Sequence, residues 1–124
     1  MTRGIAPSID SLEIAEHYGK ESSIVRLRGR LNIDSSPALR DRLLALLQAE
    51  SPQSLVIDFT EVSYMDSSGI ATLIEGLKSA RLRQTTLCLQ GLQGRLLHLF
   101  QVTGMSALFE KSGCASVPSE PKVS

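Results

Sequence analysis

Four consecutive small or polar residues, Asp66, Ser67, Ser68 and Gly69, lie between an apolar stretch and a helical pattern. Asp66 or Ser67 can cap the free backbone N–H groups of a helix start, and Gly69 allows a close backbone approach in the first turn. A helix N-terminus also carries partial positive charge, so it can hold a phosphoryl group on its own side chain. These residues could therefore support a phosphorylation switch at Ser67. Because the same residue types are ordinary helix caps, the spacing alone leaves a purely structural role open.

The elements before this segment predict a hairpin and then a helix. A weak strand pattern covers 12–18, and 23–29 alternates polar and apolar residues, which is typical of a half-buried strand. The residues between them predict a turn. Ser36 and Pro37 favour a helix start, and Ser51-Pro52 its end. That helix carries one apolar stripe: Leu39, Leu43, Leu46 and Leu47.

The elements after it alternate between strand and helix. A buried strand reaches Phe59, a loop follows at 60–64, and the helical period returns at Ile70. The remaining pattern predicts a strand at 85–89, a helix over 92–100 that ends near Gly104, and a short strand at 107–109. We therefore predict one α/β domain over 8–112, with a mixed sheet of four or five strands and packed helices. Residues 113–124 are predicted to be a flexible tail.

Composition excludes several classes of protein. Thirteen basic residues balance thirteen acidic ones among 124, which argues against direct binding of nucleic acid. No apolar run is long enough to insert in a membrane, and the N-terminus lacks the apolar core of a signal peptide. Cys88 and Cys114 form no paired motif and are expected to be free thiols. Together these features predict a cytoplasmic protein.

Catalytic and metal-binding alternatives find little support in the residues. His17 and His98 have no ligand neighbours at metal-site spacing, so neither a metal nor another cofactor is expected. Ser67, His98 and Asp58 supply the residue types of a hydrolytic triad, but no Gly-x-Ser-x-Gly elbow surrounds the serine. We therefore do not expect an enzyme.

The segment from Val62 to Ile70, preceded by Leu55-Val56-Ile57-Asp58-Phe59, resembles the signature of the STAS domain family. Within that family it is most similar to bacterial anti-sigma-factor antagonists, and the resemblance extends over roughly 23–113. It implies that the serine after the aspartate, Ser67, is phosphorylated by a kinase that is itself the anti-sigma factor. The neighbouring residues Met65, Asp66, Ser68 and Gly69 would then contribute to the contact with that kinase.

The resemblance also implies a partner-switching scheme. The unphosphorylated antagonist would bind the anti-sigma-factor serine kinase and free the sigma factor, phosphorylation would end that binding, and a separate phosphatase would restore it. A STAS adaptor without sigma control, in a signalling scaffold or a membrane transporter complex, is the alternative function.

One departure from the family pattern concerns partner choice. Many members carry two acidic residues around the segment that here reads Gly29-Arg30-Leu31-Asn32, which we expect to form a turn before the first helix. The resemblance places this surface near the kinase contact, so Arg30 and Asn32 are also expected to bind the partner. Since charge complementarity controls specificity, their altered charge predicts a different partner preference.

Overall fold

A computed structural model describes residues 12–19, 22–50 and 52–111, without the side chains of residues 110 and 111. These residues form four strands and four helices in a single α/β arrangement. In chain order the elements are β1 (Leu12–Tyr18), β2 (Ser22–Leu31), α1 (Ser36–Glu50), β3 (Ser54–Met65), α2 (Ser67–Leu82), β4 (Thr86–Gln90), α3 (Gly94–Val102) and α4 (Met105–Lys111).

The four described strands make one mixed sheet in the order β1-β2-β3-β4. β1 and β2 form the predicted antiparallel hairpin, with Tyr18 opposite Ser23. β3 runs parallel to β2 and to β4, so a helix crosses over between each parallel pair. The expected fold class is therefore confirmed, with four strands within the predicted range.

The core lies between the apolar side of the sheet and the helices. The leucine stripe predicted on α1 is buried, and a Cβ built on Gly76 of α2 would lie 3.2 Å from Leu43 of α1 and 3.8 Å from Leu87 of β4. Two helices and a strand therefore meet at Gly76. The rings of Phe59 and Phe100 pack edge to face with centroids 5.9 Å apart, which brings α3 against the middle of β3.

The loop predicted at 60–64 is wrong, because β3 continues to Met65. Glu61, Val62 and Tyr64 still pair with β2, but the register shifts twice along this stretch. Each shift breaks the period-2 alternation by which a strand is recognised in sequence. The turn predicted at 29–32 is also wrong, because its first three residues belong to β2. One of the two register shifts falls between Gly29 and Arg30.

The strand predicted at 107–109 is also wrong, since these residues lie in α4. Gly104 adopts a φ of 80°, which ends α3 and redirects the chain. Met105 and Phe109, four residues apart, then point into the core with 2 % and 0 % of their surface exposed. That spacing is helical, but a run of only seven residues is too short to show it clearly.

Two further expectations concern Cys88 and the tail. Cys88 is disulfide-bonded, so the expected free thiol is wrong at this position. The predicted tail, 113–124, lies outside the described residues. No helix within the part of the chain that the structure describes is long and apolar enough to cross a membrane.

Candidate functional site

The start of α2 is fixed by the side chain of Asp66. This residue is the N-cap, with extended backbone angles of φ −118° and ψ −168°. Its Oδ1 accepts hydrogen bonds from the backbone N–H of Ser68 at 2.9 Å and from the Ser68 hydroxyl at 2.5 Å. The hydrogen bond from the Ser68 hydroxyl is the main reason that the pKa of Asp66 lies below its usual value. Asp66 rather than Ser67 is therefore the cap.

The two adjacent serines occupy different environments. Ser67, the first residue of α2, is exposed, and its hydroxyl makes no hydrogen bond to any described residue. Ser68 is half-buried, and its hydroxyl is held between Asp66 and the Ser36 hydroxyl, 3.1 Å away. Of these two serines, Ser67 is therefore the one with an exposed hydroxyl.

Asn32 shapes the turn before α1. Its Oδ1 accepts from the backbone N–H of Asp34 at 2.9 Å and of Ser35 at 3.1 Å, and its carbonyl oxygen accepts from Ser36 N–H at 2.8 Å. These bonds satisfy donors at a helix start. Asn32 thus has a structural role, and its predicted contact with a partner stays a prediction.

The two helix starts lie side by side at one end of the sheet. The backbone N–H of Asp66 donates to the carbonyl oxygen of Leu31 at 3.2 Å, which joins the ends of β2 and β3. The hydroxyls of Ser36 and Ser68 then connect α1 with α2. This shared end, formed by 30–36 and 63–69, is the candidate site.

Arg30 lies at this end of the sheet with its guanidinium over an aromatic ring. It is the cross-strand partner of Tyr64, and its guanidinium carbon lies 4.2 Å from the centre of the Tyr64 ring. Such a cation–π contact holds a long side chain against the sheet. Tyr64 is itself 39 % exposed, so the pair presents both an apolar and a cationic surface near Ser67.

Met65 and Gly69 support the site from within. A Cβ built on Gly69 would lie 2.6 Å from Cγ of Met65 and 2.9 Å from Cδ2 of Leu31. Glycine is therefore required for α2 to sit this close to the strands. Met65 is only 6 % exposed, so its place here is explained by packing.

Sequence reasoning missed three residues of this site. The sequence predicts Ser36 only as a helix start, but its hydroxyl pairs with a serine 32 positions away, a contact that no local pattern indicates. Tyr64 lies in β3, where the sequence pattern predicts a loop. Ile33, which is 72 % exposed, could have been noticed as an apolar residue in an otherwise polar turn.

The catalytic and metal-binding alternatives gain no support from the geometry. The carboxylate of Asp58 accepts hydrogen bonds from the backbone and hydroxyl of Thr60, at 2.9 and 2.6 Å, and lies 3.6 Å from Arg26. Within 12–19, 22–50 and 52–111, no three His, Cys, Asp or Glu side chains form a group that could hold a metal ion.

Comparison with known proteins identifies the family. The family model described as STAS domain matches residues 11–119, and the chain belongs to this family. An anti-sigma-B factor antagonist from Listeria monocytogenes is 38 % identical over 100 residues, which cover 81 % of this chain and 86 % of the relative. The resemblance drawn from the motif is thus confirmed.

Solved structures agree on the fold. The crystal structure of an anti-sigma factor antagonist from Mycobacterium paratuberculosis has a TM-score of 0.74 at 22 % identity, covering 84 % of this chain and 87 % of that one. The Bacillus cell fate determinant SpoIIAA in its phosphorylated form has a TM-score of 0.62 at 18 % identity, with 77 % and 86 % covered.

Proposed function

We propose that this chain is an anti-sigma-factor antagonist whose binding to an anti-sigma-factor serine kinase is ended by phosphorylation of Ser67. The observation that carries the proposal is the contrast between the two serines at the start of α2. Ser67 is exposed and offers its hydroxyl, whereas the Ser68 hydroxyl is held by Asp66 and Ser36. A relative named anti-sigma-B factor antagonist and a neighbour solved in a phosphorylated form support it.

A phosphoryl group at Ser67 would alter the surface more than the fold. It adds about 1.5 to 2 negative charges at neutral pH. Because Ser67 is exposed and begins a helix, the fold can accommodate this charge near the partial positive end of α2. A partner that docks over Ser67 would instead have to bury the phosphate beside the carboxylate of Asp66, and would bind weakly.

The proposal defines the partners of the chain. The unphosphorylated form binds the kinase and so frees a sigma factor, and a phosphatase returns the phosphorylated form to that state. The chain is the substrate of these enzymes and catalyses no reaction itself. It acts in the cytoplasm, with neither direct binding of nucleic acid nor insertion in a membrane.

The test is a phosphorylation assay with candidate anti-sigma-factor kinases and Mg-ATP. We expect one phosphate, located at Ser67 by mass spectrometry, and none on Ser67→Ala. Ser68→Ala is the matched control and should still be phosphorylated, with its fold checked by circular dichroism. Ser67→Asp should weaken kinase binding about tenfold or more, because it places a charge in the interface.

Two results would contradict this function. A kinase that binds Ser67→Ala, Ser67→Asp and the wild type with equal affinity would exclude a switch at this residue. Pull-down of transporter or scaffold proteins, with no kinase of the anti-sigma type, would favour the adaptor alternative.

A further inference from the structure

An apolar groove of about 430 Å³ lies between the end of β3 and helix α3. Its wall on the strand side includes Tyr64 and Met65, and its wall on the helix side includes Leu96, Leu99 and Val102. Val102 is 64 % exposed and Tyr64 is 39 % exposed. Large apolar side chains that stay exposed along one groove are typical of a docking surface.

The groove shares Ser63, Tyr64 and Met65 with the candidate site. Met65 lines the groove and also contacts the position of Gly69 in the first turn of α2. Tyr64 lines the groove and carries the guanidinium of Arg30 over its ring. A partner that covers Ser67 can therefore reach the groove without leaving the surface of the domain.

Arg95 and His98 of α3 line the groove and are exposed, and no carboxylate is among its lining residues. Arg30 lies outside the lining, over the ring of Tyr64. Neither α3 nor the strand segment 63–65 contains an acidic residue. An apolar floor with basic residues beside it matches a partner segment in which apolar side chains are flanked by carboxylates.

We propose that this groove binds an acidic amphipathic segment of the partner protein, as a second contact beside Ser67. The identity of that partner rests on the proposed function, but the shape and the charge of the groove do not depend on which kinase, if any, modifies Ser67. Binding at the groove would also depend on the state of Ser67, because a phosphate on Ser67 would repel an acidic segment that lies next to it.

The test uses two synthetic peptides and the full chain. The first peptide has leucines at i, i+3, i+4 and i+7 with glutamate at the other positions, and its twin has lysine in place of every glutamate. In ¹H–¹⁵N spectra the acidic peptide should shift the signals of Tyr64, Leu99 and Val102, and the lysine twin should not. Arg95→Glu should weaken the acidic peptide at least tenfold.

Matched controls separate charge at the groove from overall charge. Arg81→Glu changes the same residue type by the same charge in the last turn of α2 and should leave peptide affinity unchanged. Protein phosphorylated at Ser67 should bind the acidic peptide more weakly than unphosphorylated protein.

The outcomes distinguish this inference from the proposed function. Equal binding of both peptides, binding of neither, or shifts away from α3 would overturn the groove proposal even if a kinase phosphorylates Ser67. If the peptides are discriminated as expected but no kinase modifies Ser67, the groove proposal holds and the proposed function fails.

Discussion

The hydroxyls of Ser36 and Ser68 lie 3.1 Å apart and connect the first turns of α1 and α2. Because the Ser68 hydroxyl donates its one hydrogen to Asp66, the Ser36 hydroxyl must be the donor between the two serines. The result is a chain of hydrogen bonds from Ser36 through Ser68 to a carboxylate. With Ser36 only 4 % exposed, water has little access to one end of this chain.

Replacing Ser36 by alanine should lower the stability of the fold and leave Ser67 exposed at the start of α2. Loss of one buried hydrogen bond should lower the free energy of unfolding by about 0.5 to 1.5 kcal/mol. Chemical denaturation measures this change, with Ser63→Ala, which removes an exposed hydrogen bond from the Ser63 hydroxyl to the carbonyl oxygen of Gly29, as the control. Phosphorylation of Ser67 should persist in Ser36→Ala. Loss of that phosphorylation in a folded variant would mean that the link to α1 positions Ser67.

Stability should depend on the ionisation of Asp66 at acidic pH. Its pKa is lower in the folded chain than in the unfolded chain, so the ionised carboxylate stabilises the fold above the unfolded pKa of about 3.9. That contribution is lost as the pH falls through the lower, folded pKa. Asp66→Asn keeps an oxygen that can cap the helix but loses the charge, so it should be less stable than the wild type at pH 7 by about 0.3 to 1 kcal/mol. The difference should shrink below about pH 4.

Denaturation series from pH 7 to pH 2 would measure this effect. Asp41→Asn removes an exposed carboxylate from α1 and serves as the control. A difference between Asp66→Asn and the wild type that stays constant over the whole range would show that the charge of Asp66 does not contribute.

The two glycines inside α2 should respond differently to alanine. At Gly69 the new Cβ would overlap Met65 and Leu31, which costs about 1 to 3 kcal/mol of overpacking against about 1 kcal/mol gained in helix propensity. We expect a net loss of stability and a lower Tm. At Gly76 the nearest atom is the end of the Leu43 side chain at 3.2 Å, so alanine should change stability little. Equal Tm values for Gly69→Ala and Gly76→Ala would contradict this packing argument.

Asn32 offers a way to separate structure from recognition. Asn32→Asp keeps the oxygen that accepts from Asp34 and Ser35 and adds a negative charge near the start of α1. Its stability should match or slightly exceed that of the wild type, whereas Asn32→Ala should lose about 1 kcal/mol. Kinase affinity of the stable Asn32→Asp variant then shows whether the charge here selects the partner. A destabilised Asn32→Asp would contradict the assigned turn.

Local sequence patterns predict most of the fold and part of the candidate site. The leucine stripe of α1 and the hairpin of β1 and β2 depend on near neighbours in sequence, and both are confirmed. The sequence allows either Asp66 or Ser67 as the cap, and Asp66 is the cap because its side chain accepts hydrogen bonds from Ser68, two residues away.

The features that the sequence does not predict depend on contacts between segments that are far apart along the chain. The register shifts of β3 arise from its pairing with β2, which no period within β3 reports. The short helix α4 replaces a predicted strand because Met105 and Phe109 find space in the core. The pairing of Ser36 with Ser68, and of Arg30 with Tyr64, likewise appears only once the sheet has brought two crossover ends together.

The hydrogen bond from Asp66 to Leu31 has a consequence for substrate recognition, since it joins residues that α1 separates along the chain. A free peptide of residues 60–72 would contain Ser67 but lack the β2 end that fixes Asp66. An enzyme acting on this serine would therefore recognise a folded shape rather than a linear motif. Under the proposed function, unfolding of the domain would therefore remove the surface that the kinase has to recognise.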